Sequence, residues 1–388
     1  MRSELLLDEG SVFAPLSDFS RSYLEKATKL IKDSGLKFNP TRNLWKDLYV
    51  GLAFFLLPLI PMYLGLVNTW YWALLVGVLI SEGFLRIGAF QHHLNHKALH
   101  KDQEKNLRQG RVMYLLGVSA FVWRIMHDLH HKAANWRGKD RDIDGSSPLL
   151  EFSETAPSVK PVQKHAWYVF GLYSISMHFW VFFADFKRLI EYYSYDKGPD
   201  LMDKTKSLSW YLYRLLLFKI SYLFIILVVP VLLGAPWYVP IITWFSCWFL
   251  AGIQLLPVFQ IAHVNERTKH FSGSVKDQRV LYDRIIYHLL TSADIRWTRY
   301  GWLNDLLDHR YGWLGNQNPH HNFWWLNPEL LRPLGDLMEE HVADWRQEHP
   351  EDEVPDYIVF GLWGGIKSHF RYVTKLPEII PGEYLEMG

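Results

Sequence analysis

The chain has 388 residues and a formal net charge of +1 at pH 7, so nothing in its charge balance points to nucleic acid. It is 49% hydrophobic and rich in Trp, Tyr and Phe, yet its mean hydropathy is only −0.06, which favours a membrane-embedded enzyme with a sizeable aqueous part. The single cysteine, Cys247, lies within an apolar run and excludes an intramolecular disulfide, which allows a reducing, cytosol-facing chemistry.

Residues 1–47 read as a polar, Lys-rich cytosolic segment without a cleavable signal peptide, because the first apolar run begins only near Leu48. Four runs then reach the roughly 20 helical residues needed to cross a bilayer core of about 30 Å. They are Leu48 to Leu66, Trp70 to Phe90, Leu212 to Leu233 and Trp237 to Leu256. The turns Gly65 to Thr69 and Gly234 to Pro236 are short and uncharged. By contrast, Lys26, Lys29, Lys32, Lys37, Arg42 and Lys46 precede the first span, and Lys97, Lys101, Lys105, Arg108 and Arg111 follow the second. The positive-inside rule then expects both termini on the cytosolic side.

Two further apolar stretches, Val112 to Met126 and Trp167 to Ile190, need separate treatment. If only one of them crossed, the histidine sets before and after it would face opposite sides of the membrane and could share no metal. Parity therefore expects both to be interfacial or re-entrant, and Lys187, Arg188 and the aromatic content of the second stretch suit the headgroup layer. The expected fold is an all-α integral membrane protein with four transmembrane helices and a cytosolic helical cap holding a histidine-ligated dimetal site. One catalytic domain is expected over residues 48–345, followed by a cytosolic tail over 346–388, with no internal repeat or flexible linker.

Eight histidines sit just outside the span ends: His92 and His96; His127, His130 and His131; and His263 with His320 and His321. At about 1.5 Å of rise per residue, His92 and His263 reach the same cytosolic layer. Spacings of three and four put each of the first two sets on one helical face. His100 continues the His92 and His96 face by another turn, leaving His96 with His100 as an alternative pair. Imidazole suits Fe, Zn, Cu and Ni, the set has enough ligands for two ions, and the lack of Cys ligands argues against structural zinc. The chain has neither paired Glu-x-x-His motifs nor His-Glu-x-x-His, and a metal transporter would carry its ligands within the spans. Glu82 and Arg86, four apart in the second span, read as an ion pair near its cytosolic end or as a substrate contact. His178 reads as an interfacial side chain.

Gln91-His92-His93-Leu94-Asn95-His96 resembles the first histidine box of membrane fatty acid desaturases, and His127-Asp128-Leu129-His130-His131 matches the second. Continuing through Asn135, Gly138, Asp140, Asp142, Ile143 and Asp144, the chain is similar to the acyl-lipid or front-end branch. Gln260-Ile261-Ala262-His263-Val264-Asn265-Glu266 is similar to that branch's extra histidine, and Gln317-Asn318-Pro319-His320-His321 to its Gln-x-x-His-His third box. The resemblance runs from about residue 20 to residue 345. It implies di-iron ligation by His92, His96, His127, His130, His131, His263, His320 and His321, with an acyl chain threaded beneath. The implied reaction is an oxygen-dependent desaturation giving a cis double bond; a hydroxylase or acetylenase on the same scaffold is the alternative. A non-catalytic metal-binding membrane protein would instead lose metal but no product on His130→Ala.

The chain departs from the family at His93, where Asp is usual, at Pro319, where Glu is usual, and at Asn322, Phe323 and Trp324, where Leu-Phe-Pro is usual. Pro319 fixes a backbone angle and removes a donor, and loss of the acid alters what orients His320 or His321, though iron binding is expected to survive. Gln317, Asp140, Asp144, Glu266 and His93 are candidates to support the ligands. Gln317 either bonds a water on the metal or holds the loop, and Asp140, Asp142 and Asp144 either position imidazoles or form a solvated loop. There is no His-Pro-Gly-Gly and no Gly-x-Gly-x-x-Gly, which implies a separate electron donor, a ferredoxin or a b-type cytochrome. The substrate would be a fatty acyl chain linked to lipid, coenzyme A or a carrier protein.

Overall fold

The computed structural model describes residues 13–36, 42–144, 147, 149–193, 203, 205–273 and 282–379; the side chains of residues 256 and 257 are outside that description. Lys37, other parts of the N-terminal segment and the last residues of the tail also lie outside the described residues. The helices in chain order are α1 (Asp18–Asp33), α2 (Arg42–Leu56), α3 (Leu59–Tyr63), α4 (Trp70–Asn95), α5 (Gln103–Gly110), α6 (Ala120–Lys132), α7 (Arg141–Asp144), α8 (Ala166–Phe179) and α9 (Asp185–Tyr193). They continue as α10 (Leu208–Leu223), α11 (Val229–Leu232), α12 (Tyr238–His263), α13 (Arg284–Thr291), α14 (Gly301–Tyr311), α15 (Gln317–Asn322), α16 (Leu331–Glu348) and α17 (Leu362–Lys375). Two short strands, β1 (Asp294–Arg296) and β2 (Val359–Gly361), pair in parallel with Ile295 opposite Phe360.

Among the described residues, five helical rods are long and apolar enough to cross a membrane: 42–63, 70–95, 166–193, 208–232 and 238–263. Four overlap the expected spans. The fifth, α8 and α9 joined by a turn of π-helix at Trp180–Ala184, is a continuous rod where the sequence suggested an interfacial stretch. The other ambiguous stretch is broken. A 3₁₀ turn over Arg111–Leu116 ends at Gly117, whose φ of 74° suits glycine, and the helices on either side differ in direction by 109°. Ser119 then caps α6, its Oγ accepting from the Val122 amide.

The rods and the turns joining them expose Leu57, Leu64, Trp70, Tyr71, Trp72, Leu217, Ile220, Ile225, Leu232 and Trp237. So much contiguous apolar area is tolerable only against lipid, and Trp70, Trp72 and Trp237 cluster at the connecting turns as interfacial aromatics do. This is a multi-pass membrane protein. Without a hydrophobic drive between helices in lipid, close backbone approach holds the bundle. α4 crosses α2 at Gly83, where a Cβ would stand 2.6 Å from the Gly51 carbonyl oxygen, and crosses α12 at Gly77 beside Ser246.

The helices outside the rods are fastened by polar contacts. Asp283 accepts from Ser20 Oγ (2.8 Å) and from Ser17 Oγ (2.6 Å), docking α1 beside α13. Phe19, Tyr23 and Ala27 of α1 then bury against Ile285, Leu289, Phe323 and Met338. Glu82 and Arg86 pair at 2.9 Å, as one sequence reading expected, and belong to a wider network: Arg310 of α14 bonds Glu82 (2.8 Å) and Gln254 (2.5 Å), and His309 bonds Asp47 (2.7 Å). α14 is thereby tied to three of the rods.

Candidate metal centre

α4 runs past its apolar stretch and delivers His92 on its last full turn and His96 at its C-cap. α6 presents His127, His130 and His131; α12 ends on His263; and the short α15 carries His320 and His321. The histidines from all four helices converge. His92, His96, His127, His131 and His320 form one group of five whose potential ligand atoms lie within 4.8 Å of one another, and His130, His263 and His321 form a second group of three. The two groups adjoin, with the rings of His131 and His321 stacked 4.3 Å apart. All eight residues are at most 6% exposed.

The spacings are those of ligands around a common point. Two nitrogens about 2.1 Å from one ion and at right angles stand about 3 Å apart. His92 Nε2 and His127 Nε2 are 2.9 Å apart, His127 Nε2 and His131 Nε2 3.2 Å, and His263 Nε2 and His321 Nε2 3.1 Å. His96 Nε2 and His320 Nε2 are buried without a hydrogen-bond partner. Such orphans are costly in a folded protein and call for an ion or water. Burial first, then the neighbouring imidazoles, hold His320 and His321 well below the ordinary histidine range, leaving them neutral with a lone pair to offer. The residues fit a metal site.

The supporting side chains differ between the groups. His130 Nδ1 bonds Asp140 Oδ2 at 2.9 Å, and that oxygen also accepts the Asn135 amide at 2.8 Å. His263 Nδ1 bonds the Thr291 carbonyl at 2.9 Å. Each contact fixes a tautomer and turns Nε2 inward. In the group of five, Asp142 lies 3.7 Å from His127 Nδ1, and Trp123 stacks on His127 at 4.6 Å.

Several candidates from the sequence lie elsewhere. α4 ends at Asn95 and Lys97 takes a φ of 61°, so His100 leaves the ligand face and bonds Gln109 Oε1 at 2.7 Å; this overturns the His96 and His100 pair. Asp144 accepts the Gly138 amide, not an imidazole. Glu266 is exposed and 4.0 Å from Lys375. His93 turns toward Gly312. Gln317, by contrast, stays at the site: it donates to the Leu314 carbonyl at 3.0 Å, holding the loop before α15, and its side chain also bonds His263. His178 packs on Phe245 and Trp248.

Two supports were missed. Thr291 acts through its backbone and leaves no side-chain signal. Lys219 meets Asp185 at 2.7 Å and donates to the Gly117 carbonyl at 2.6 Å, and Asp185 also accepts the Ser119 amide, pinning the elbow before α6. A lone lysine in an apolar span was the available signal. A cavity of about 650 Å³ lies apart from the histidines, between residues 267–269, Leu289, Leu290 and residues 350–358.

Buried, mutually facing imidazoles at the ends of membrane helices define a polytopic membrane metalloprotein. The fatty acid desaturase family profile matches residues 64–349, most of the chain, and the chain belongs to that family. It is 24% identical over 276 residues to the sn-1 linoleoyl-lipid 6-desaturase of Synechocystis sp., covering 68% of this chain and 72% of that protein. It is 25% identical to the protein of the same name from Arthrospira platensis, over 50% of this chain and 52% of that one. Similarity to the Delta(8)-fatty-acid desaturase of Euglena gracilis is 29% over 89 residues, 22% of this chain and 21% of the relative. The activity is fatty acyl desaturation; hydroxylation and acetylenation are not favoured.

Proposed function

We propose that this chain is an oxygen-dependent desaturase that introduces a cis double bond into a lipid-linked acyl chain, near its carboxyl end, at a di-iron centre. The observation that carries the reading is the convergence of all three histidine sets into two adjoining groups. One ion would be held by His92, His96, His127, His131 and His320, the other by His130, His263 and His321. The names of the relatives support the lipid-linked substrate and the position of the bond.

When bound, the irons supply activation of dioxygen for the oxidation of an unactivated acyl chain. The protein's part is positional. Asp140 and the Thr291 carbonyl hold two imidazoles in one tautomer, so the metal geometry is set before substrate arrives. The apolar cluster that includes Phe84, Phe90, Leu94, Leu116 and Trp123 lies beside His92 and His127, and it supports entry of the acyl chain from the membrane side with water excluded.

The same convergence supports four crossings. If 166–193 crossed alone, His263 would emerge opposite His130, yet their rings lie 4.6 Å apart. The rod then lies along the bundle; a crossing by the bent 103–132 pair would carry His131 to the side opposite His96, yet those rings lie 4.3 Å apart. The basic residues flanking the first two spans support a cytosolic site and cytosolic termini, with a catalytic domain over 48–345. A separate ferredoxin or b-type cytochrome would deliver the electrons.

The test is the fatty acid methyl ester profile of cells expressing the wild type or His130→Ala together with a ferredoxin and its reductase. A new unsaturated species with the wild type alone is expected. Hydroxylated products, or none from a protein loaded with two irons, would overturn the reading.

A further inference from the structure

The two histidine groups are unequal, five imidazoles against three, and one unassigned histidine adjoins the smaller. We infer that His288 is a further ligand of the centre, binding the ion held by His130, His263 and His321. The inference rests on the di-iron reading above. His288 is fully buried, and neither of its ring nitrogens has a hydrogen-bond partner. A neutral imidazole always carries one donor and one acceptor, so sealing both away unpaired is costly unless something outside the polypeptide satisfies them. Its ring lies 5.0 Å from that of His321, tilted by 37°.

Position argues the same way. His288 stands on α13, which is fastened to two members of the three-histidine group. The Thr291 carbonyl takes His263 Nδ1, and Arg284 Nη2 donates to the carbonyls of His321 (2.7 Å) and Asn322 (2.9 Å). The guanidinium is held over the Trp324 ring, 4.1 Å from its centroid. A helix braced at both ends against one group presents its one histidine to that group.

Other histidines with orphaned nitrogens lack this combination. His178 is walled in by Phe245 and Trp248, and His270 stacks on Tyr372. His93 neighbours His92, but that group already offers five imidazoles. The group of three is the one with donor positions to fill, and His288 would make it four. The spacing signals that reveal the other ligands miss it, because it stands alone on its helix.

The experiment loads the purified full-length chain with Fe(II) and reads iron per chain, the affinity of each binding step and the Mössbauer spectrum. The proteins are the wild type, His288→Ala, His288→Phe, which fills the volume, and His288→Gln, which keeps a polar side chain. The wild type should take two irons. His288→Ala and His288→Phe should keep one at wild-type affinity, held by the untouched group, while the second weakens by at least about 10–100-fold. The retained iron also reports that the chain is folded, and His288→Gln should fall between. Two irons at wild-type affinity in all three variants, with an unchanged spectrum, would overturn the assignment of His288 alone. Equal weakening of both irons would overturn its assignment to one ion. A wild type that takes no iron would overturn the di-iron reading and the inference with it.

Discussion

The two histidine groups are built by different means. The group of five takes His92 with His96 and His127 with His131, pairs four residues apart on two helices, plus His320. Its geometry follows largely from the pitch of α4 and α6. The group of three takes one residue from each of three helices, and its members depend on distant partners, His130 on Asp140 and His263 on Thr291. The first group is redundant in ligands and local in origin. The second has few ligands and is oriented by contacts from outside its own helices, so it is the more fragile half.

The largest expected effect comes from α15, where neighbouring residues serve different groups. His320→Ala and His321→Ala should each abolish the unsaturated product in a methyl ester profile. Their iron contents should differ. Removing one ligand of five leaves a site able to bind, whereas removing one from the smaller group weakens the second iron far more. Equal iron loss in the two variants would break the comparison.

Next is Asp140→Asn. The amide offers Asn135 and His130 one oxygen where the carboxylate offered a charged acceptor, and it can present a donor that reverses the imidazole tautomer. Iron affinity of the three-histidine group should drop by about 10–100-fold, with the five-histidine group unchanged, as read by Fe(II) titration. Loss at both groups would mean that Asp140 supports the whole elbow.

A stability effect follows at the buried pair behind α6. Lys219→Met leaves the Asp185 carboxylate sealed from water without its cation, which costs about 3–5 kcal/mol. Asp185 also holds the Ser119 amide at the start of the helix bearing His127, His130 and His131, so both groups should loosen together. Thermal unfolding in detergent checks this, and Lys219→Arg should recover part of the loss.

The contrast between the groups also explains what the sequence could reveal. Helical pitch makes His92, His96, His127 and His131 legible as one face each, and the glycine-marked turns and apolar lengths make four of the five long apolar rods legible. The fifth long rod was ambiguous because composition alone does not separate a crossing helix from one lying along the bundle. The alternative at His100 came from extending α4 one turn too far, because the chain turns away just past the helix end through a positive φ at Lys97 that no strong residue signal announced. Thr291 and His288 were invisible because their roles arise from packing α13 against α12 and α15, which brings together residues dozens of positions apart.

The smallest effect concerns Asp294, which supports the helix shared by the two groups. Its Oδ1 accepts the Asn318 amide at 2.9 Å near the start of α15, and Tyr357 donates to Oδ2 from the segment leading into β2. Burial pushes its carboxyl up to about 7 from an ordinary 3.8, against the opposing pull of the Tyr357 hydroxyl and the Asn318 amide. Between those values the folded chain holds a proton that the unfolded chain has released. This contribution to stability is therefore fully present below about pH 4 and lost as pH rises through 7. Asp294→Asn cannot ionise, so the difference in Tm between wild type and variant should shift by a few degrees in the variant's favour from pH 5 to pH 8. A difference constant across that range would mean that Asp294 is ionised throughout and anchors α15 as a carboxylate. Because α15 carries His320 into one group and His321 into the other, the drift should weaken both irons alike, unlike Asp140→Asn.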